Sequence, residues 1–149
     1  MMKQMYITKD RWQTWSQMDI SSQIDGYPTS LSAQSDEHLY IGVQMRSDGY
    51  LFETIDGGEN WHPVIIDEAI EKCRYGYAPI LNNEEGNFYI LLECDGLYSL
   101  YRSDTDLSAW KHLGTFSTEM EIESYFIWNS KVIIADIQGQ HYQVSFGQI

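Results

Sequence analysis

The eight residues Thr54-Ile55-Asp56-Gly57-Gly58-Glu59-Asn60-Trp61 constrain the fold more than any other stretch of the chain. Ahead of them Tyr50-Leu51-Phe52-Glu53-Thr54 alternates like a strand. Asp56-Gly57-Gly58 then supplies an acceptor side chain and two residues that take positive φ at little steric cost, so the chain must reverse. A carboxylate in such a turn accepts backbone N–H groups a few residues on. The tryptophan that opens the returning strand can fold its indole over the hairpin. The stretch therefore reads as a staple for a β-hairpin.

Two weaker versions lie about one fixed step to either side. Thr8-Lys9-Asp10-Arg11-Trp12-Gln13-Thr14-Trp15 keeps the hydroxyl, the acid and the final indole, but has Trp12 where the second glycine belongs. Ser103-Asp104-Thr105-Asp106-Leu107-Ser108-Ala109-Trp110 keeps the hydroxyl and the indole, with its two acids one place either side of the expected one. Trp15, Trp61 and Trp110 are 46 and 49 residues apart, and Tyr40 and Tyr89 are again 49 apart, so the period holds outside the turns. A period of about 40–50 residues is the length of one four-stranded unit in a radial β architecture. The turn pattern, Ser or Thr, any residue, Asp, any, Gly, any two, Trp, resembles the Asp box of sialidases and related β-propeller proteins. Thr54, Asp56, Gly58 and Trp61 fill every position; Thr8, Asp10 and Trp15 fill three, and Ser103 and Trp110 fill two. In that family the boxes are turns remote from the catalytic face, so the resemblance implies a structural role for all nine residues. It also implies that sialidase chemistry needs three arginines on a carboxylate and a tyrosine nucleophile helped by a glutamate. Of Arg11, Arg46, Arg74 and Arg102, two sit in or beside the turns, and no such site is expected.

At 149 residues, 43% of them hydrophobic and 14% aromatic, the chain can bury one sizeable core, and residues 1–149 read as a single propeller-like domain of about three blade repeats. Strands are expected at Met5–Thr8 and Trp15–Met18, in a four-strand set from Tyr27 to Ile66, in a second four-strand set from Tyr77 to Phe116, and at Tyr125–Trp128, Lys131–Ile137 and His141–Phe146. Asp67 to Lys72 is the one segment of helical composition, and it is too short for more than a turn or two. The fold class is thus all-β: consecutive four-stranded antiparallel sheets with Asp-box hairpins, in a short propeller-like assembly. The inventory of two, four, four and three strands leaves incomplete sheets at both ends. Met5–Thr8 is accordingly expected near His141–Phe146 in one sheet, within a chain or in a homodimer by strand sharing.

Charge bounds the partners. Twenty-two Asp and Glu against nine Lys and Arg leave a formal net charge of −13, a field that repels nucleic acid and anionic membranes. Met1 to Tyr6 carries one lysine and no long apolar run, and no stretch reaches the ~18 apolar residues of a membrane span. The chain reads as soluble and cytoplasmic. No metal or cofactor is expected. His38, His62, His112 and His141 are scattered, Cys73 and Cys94 lack ligand spacing, and Asp104-Thr105-Asp106 lacks the other ligands of a calcium loop. No nucleophile-elbow, phosphate-loop or dinucleotide fingerprint occurs, and no catalytic residues are assigned. Eleven tyrosines, with Trp12 and Trp128 outside the repeat pattern, point instead to an accessible aromatic surface. The expected function is a non-catalytic acidic protein-binding module, in its sharpest form an inhibitor or immunity protein that neutralises a basic partner such as a toxic nuclease. Asp67, Glu68, Glu71, Glu84, Glu85, Glu119, Glu121 and Glu123 on the sheet crossings supply its charge, and Trp128 an aromatic contact. A glycan-binding or glycosidase-like domain and a scaffold or assembly factor are the alternatives.

Overall fold

The structure is a computed structural model and describes residues 2–44, 51–64, 80–84, 86–94, 97–104, 107, 109–117, 122–129 and 131–145. The helix-like segment 67–72 lies outside them. The strands are β1 (Gln4–Ile7), β2 (Ser16–Asp19), β3 (Tyr27–Ala33), β4 (Leu39–Gln44), β5 (Leu51–Thr54), β6 (His62–Pro63), β7 (Ile80–Glu84), β8 (Asn87–Cys94), β9 (Leu97–Ser103), β10 (Trp110–Ser117), β11 (Ile122–Trp128), β12 (Lys131–Asp136) and β13 (His141–Ser145). They form four antiparallel sheets in chain order: β1-β2, β3-β4-β5-β6, β7-β8-β9-β10 and β11-β12-β13. The fold is therefore all-β and propeller-like, with the two, four, four and three strands that the sequence pattern implies.

Consecutive sheets pack face to face, and each junction holds its own core. Met5, Ile20 and Ile24 of the first sheet and its following loop meet Leu39, Ile41, Val43, Phe52 and Trp61 of the second. Tyr40 and Leu51, on the other face of the second sheet, meet Phe88, Ile90, Leu92, Leu107 and Trp110 of the third. Tyr89, Leu91, Tyr98 and Leu100, on the far face of the third, meet Tyr125, Ile127, Val132 and Ile134 of the fourth. The Tyr125 hydroxyl, buried in that last junction, donates to the Tyr89 carbonyl at 2.9 Å. The first strands of the second, third and fourth sheets are neighbours, β3 to β7 and β7 to β11.

This layering explains the two kinds of strand sequence. A middle sheet is covered on both faces, so Phe88-Tyr89-Ile90-Leu91-Leu92 is buried at every residue and reads as a continuous apolar run. A terminal sheet has one covered face, and β12 accordingly alternates, with Val132, Ile134 and Asp136 buried and the residues between them half-buried. Tyr40 and Tyr89, 49 residues apart, each sit on the second strand of their sheet and face the sheet that follows.

Three expectations are adjusted. The chain ends do not share a sheet within one chain: β1 pairs with β2 and β13 with β12, at opposite ends of the stack, because two complete sheets stand between them. Glu84, expected on a sheet crossing, is the last residue of β7, and β8 begins at Asn87. Glu123 lies within β11 rather than on a crossing, at the point where the register with β12 shifts between Ile122 and Ser124.

Candidate functional site

The three turns that open the sequence argument join the last two strands of their sheets, and two of them are held by the same cage. Thr54 Oγ1 donates to Asp56 Oδ1 at 2.7 Å and accepts from Gly58 N at 3.0 Å, while Asn60 donates to Asp56 from its backbone at 2.9 Å and from its side chain at 2.8 Å. In the first turn Thr8 Oγ1 likewise donates to Asp10 Oδ1 at 3.0 Å and accepts from Trp12 N at 3.0 Å. Thr14 takes the place of Asn60, giving its N–H at 2.8 Å and its hydroxyl at 2.6 Å. Hydrogen bonds to the ionised form hold both carboxyls low. Asp56 is pulled down to about 2, chiefly by the Asn60 backbone, then by the Asn60 side chain and Thr54. Asp10 is lowered mainly by the Thr14 side chain. The third turn manages without the cage among its described residues: Ser103 Oγ donates to the Ala109 carbonyl at 2.6 Å and Asp104 is exposed.

Trp61 and Trp110 close their turns identically, each donating Nε1–H at 3.0 Å to the carbonyl three residues back, Gly58 or Leu107. Both indoles are buried against the preceding sheet. In the second and third sheets the turns thus tie their hairpins to the preceding sheet.

The predicted partner-binding residues are only partly described. Asp67, Glu68, Glu71, Glu85, Glu119 and Glu121 lie outside the described residues. Glu84 Oε1 accepts from the Asn129 backbone N–H at 3.0 Å, which brings this acid to the β11–β12 turn, one residue from the exposed Trp128. Glu123 is exposed on the same strand as Trp128, five positions away.

A feature that sequence reasoning missed is a cleft of about 470 Å³ between β1 and β3. Met2 to Met5 border one side and Tyr27 to Leu31 the other, with Ile20 and Ile41 also in the wall. Consecutive residues line it on both strands, so it is bounded by strand edges rather than by one face of a sheet. The edge of β1 is open among the described residues, since β1 stands at the end of its sheet, while β3, the first strand of its own sheet, has β7 as a neighbour. The phase of the β1 ladder follows from one bond: Ile20 N–H donates to the Lys3 carbonyl at 3.0 Å, so Lys3 turns its backbone toward the β2 side, where its own N–H donates to Ser21 Oγ at 2.6 Å. Alternation then turns the backbone groups of Met5 and Ile7 toward β2, and those of Gln4 and Tyr6 toward the open edge. Lys3 Nζ is held by the Ile24 carbonyl, beside this site. No local motif announces the cleft, because its walls come from strands more than twenty residues apart.

Tyr40 of β4, in register with Glu53 of β5, does not suit nucleophilic catalysis. His38 Nε2 lies 3.2 Å from Glu53 Oε2, and the His38 and Tyr40 rings are 4.8 Å apart. Burial, reinforced by the Glu53 charge, pushes the Tyr40 phenol up to about 12, which keeps it protonated. Among the described residues no three His, Cys, Asp or Glu side chains converge as metal ligands do, and no helix is long and apolar enough to cross a membrane.

No protein-family model matches the chain, and no curated protein matches it in sequence. Solved structures do. A structure of the β-propeller YCF48 bound to a D1 peptide aligns over 97% of this chain and 46% of that one, with a TM-score of 0.56 and 18% identity. The chain thus spans less than half the length of YCF48, and the likeness establishes a β-propeller-like fold.

Proposed function

We propose that this protein is a non-catalytic protein-binding module whose β1–β3 cleft takes an extended segment of a basic partner. The open edge of β1 beside an apolar cleft carries the proposal. Gln4 and Tyr6 turn backbone donors and acceptors toward that edge, the groups that pair with an added strand. Met2, Met5, Ile20, Tyr27, Leu31 and Ile41 supply apolar walls for its side chains, and methionine adapts to more than one shape. A volume of about 470 Å³ is within the usual range of ligand sites. The net charge of −13 favours a cationic partner and speeds the encounter. YCF48, a structural relative in fold, was solved with a bound peptide, which is in keeping with this use of a propeller.

In its most specific form the reading is an inhibitor or immunity protein of the cytoplasm, whose carboxylates stand in for the phosphates of a toxic nuclease's substrate. The caged Thr8, Thr54 and their acids also support assigning the turns to the Asp-box class. The test compares arrays of cationic peptides and of glycans probed with the intact protein and with Gln4→Pro. The substitution removes the edge donor without touching the bonds to β2. Binding of cationic peptides by the parent, weakened about tenfold or more by Gln4→Pro and by salt, is expected. Retention on glycans alone, or peptide binding indifferent to Gln4→Pro, would overturn the reading.

A further inference from the structure

The residue four places after the turn hydroxyl has a consistent position in all three turns: Gly58, Leu107 and Trp12, with φ of 99°, 57° and 75°. Where a preceding sheet exists, this residue faces it. A Cβ added at Gly58 would run into Met5 Cε of the first sheet, and Leu107 is buried among Tyr40 and Leu51 of the second. Trp12, at the same place in the first sheet, is 74% exposed. The closing indole tells the same story: Trp61 and Trp110 are 5% and 8% exposed, but Trp15 is 50% exposed, with its ring 5.3 Å from that of Trp12. Tyr6, on the face of β1 opposite Met5, is exposed beside them in the alternation. The first sheet therefore carries a two-stranded preceding-sheet face with nothing described against it.

The fourth sheet carries the opposite half. Tyr125 and Ile127 face the third sheet, so Phe126 and Trp128 point the other way, 51% and 57% exposed, with Ile133 cross-strand from Phe126. In the second and third sheets the corresponding face, with Tyr40 or Tyr89, is buried against the sheet that follows. The two terminal faces are the two halves of a junction that this chain already makes three times. They lie at opposite ends of the stack and do not meet within one chain.

We infer that a second copy of this chain covers them, head to tail: the Trp12 face of each copy packs on the Phe126 face of the other, and two arcs close one ring of sheets. The occupant is set by two things. The missing surface at each end is of the kind the other end presents, so one chain supplies both. Both faces are aromatic, with Tyr6, Trp12 and Trp15 exposed on one and Phe126 and Trp128 on the other. Face packing of this kind differs from strand sharing, since it adds no strand to the free edge of β1 or of β13, which stay paired with β2 and β12. The inference is independent of the cleft, which opens between the first and second sheets.

A backbone at positive φ suits glycine better than tryptophan, which gives a test that separates association from folding. Trp12→Gly relaxes the turn and removes the indole. The expected result in sedimentation equilibrium of the 149-residue protein is a dimer for the parent and self-association weakened about tenfold or more for Trp12→Gly, whose monomer melts no lower. Phe126→Ser/Trp128→Ser, at the other end, weakens association similarly. Mixing the two variants restores one intact junction, so the mixture should associate more tightly than either variant alone. A parent monomeric at about 100 µM, or variants that dimerise like the parent, would overturn the inference. A mixture no tighter than its components would overturn the head-to-tail arrangement.

Discussion

Trp15, Trp61 and Trp110 occupy one position in one motif, yet only the last two are buried. Their energetic weight must differ accordingly. Trp61→Ala removes an indole packed among Met5, Ile41 and Phe52 and should destabilise the chain by about 3–5 kcal/mol in denaturant melts. Trp15→Ala, measured at dilutions where the protein is monomeric, should cost well under half of that. Equal losses would mean that the indoles act within their own hairpins and not through the preceding sheet. Asp56 makes a second prediction at this scale. Its folded pKa of about 2 lies below its ordinary 3.8, so the turn's contribution is fully present above pH ~4 and is lost as pH falls toward 2. Asp56→Asn should flatten the acid limb of a stability profile over that window. A profile parallel to that of the parent would show that the cage does not distinguish the charged carboxylate.

At the scale of elements, β1 is short but holds the first junction together, because Met5, with Ile7 partly buried against the same core, reaches from it to the second sheet. Deleting residues 1–8 would uncover Ile41, Phe52 and Trp61, so the truncated chain should unfold or aggregate on light scattering and circular dichroism. A truncation as soluble and stable as the parent would contradict the layered account of the core. Gly58→Ala probes the same contact from the other side and should destabilise by about 1–3 kcal/mol, through the positive φ and the crowding of Met5. The strand inventory was legible because alternation and turn chemistry are local, and the indole spacing carried the period. Which strand edge meets which is not local: the expectation that β1 and β13 share a sheet rested on counting strands, which cannot show that two full sheets hold them apart. The exposure of Trp15 was hidden for a related reason, since the eight residues around it look like those around Trp61. The β1–β3 cleft was hidden because nothing in either strand alone marks an open edge.

Among the described residues the molecule is a stack of four sheets with three internal cores and an open strand edge beside an apolar cleft, and the chain carries a strong negative charge. Steering by that charge should slow association with a cationic partner about tenfold or more as salt rises, with little change in dissociation. The steering acts on the encounter, while the cleft decides what stays bound. Its edge has a residue-by-residue signature. In the free protein the amides of Gln4 and Tyr6 should exchange with solvent quickly, while those of Met5 and Ile7, paired to β2, exchange slowly. Amide exchange followed by NMR, with and without a cationic peptide, therefore tests the claim directly. The account predicts that the peptide slows Gln4 and Tyr6 about tenfold or more and leaves Met5 and Ile7 as they were. Uniform exchange along β1 in the free protein, or no protection of Gln4 and Tyr6 in the complex, would contradict it.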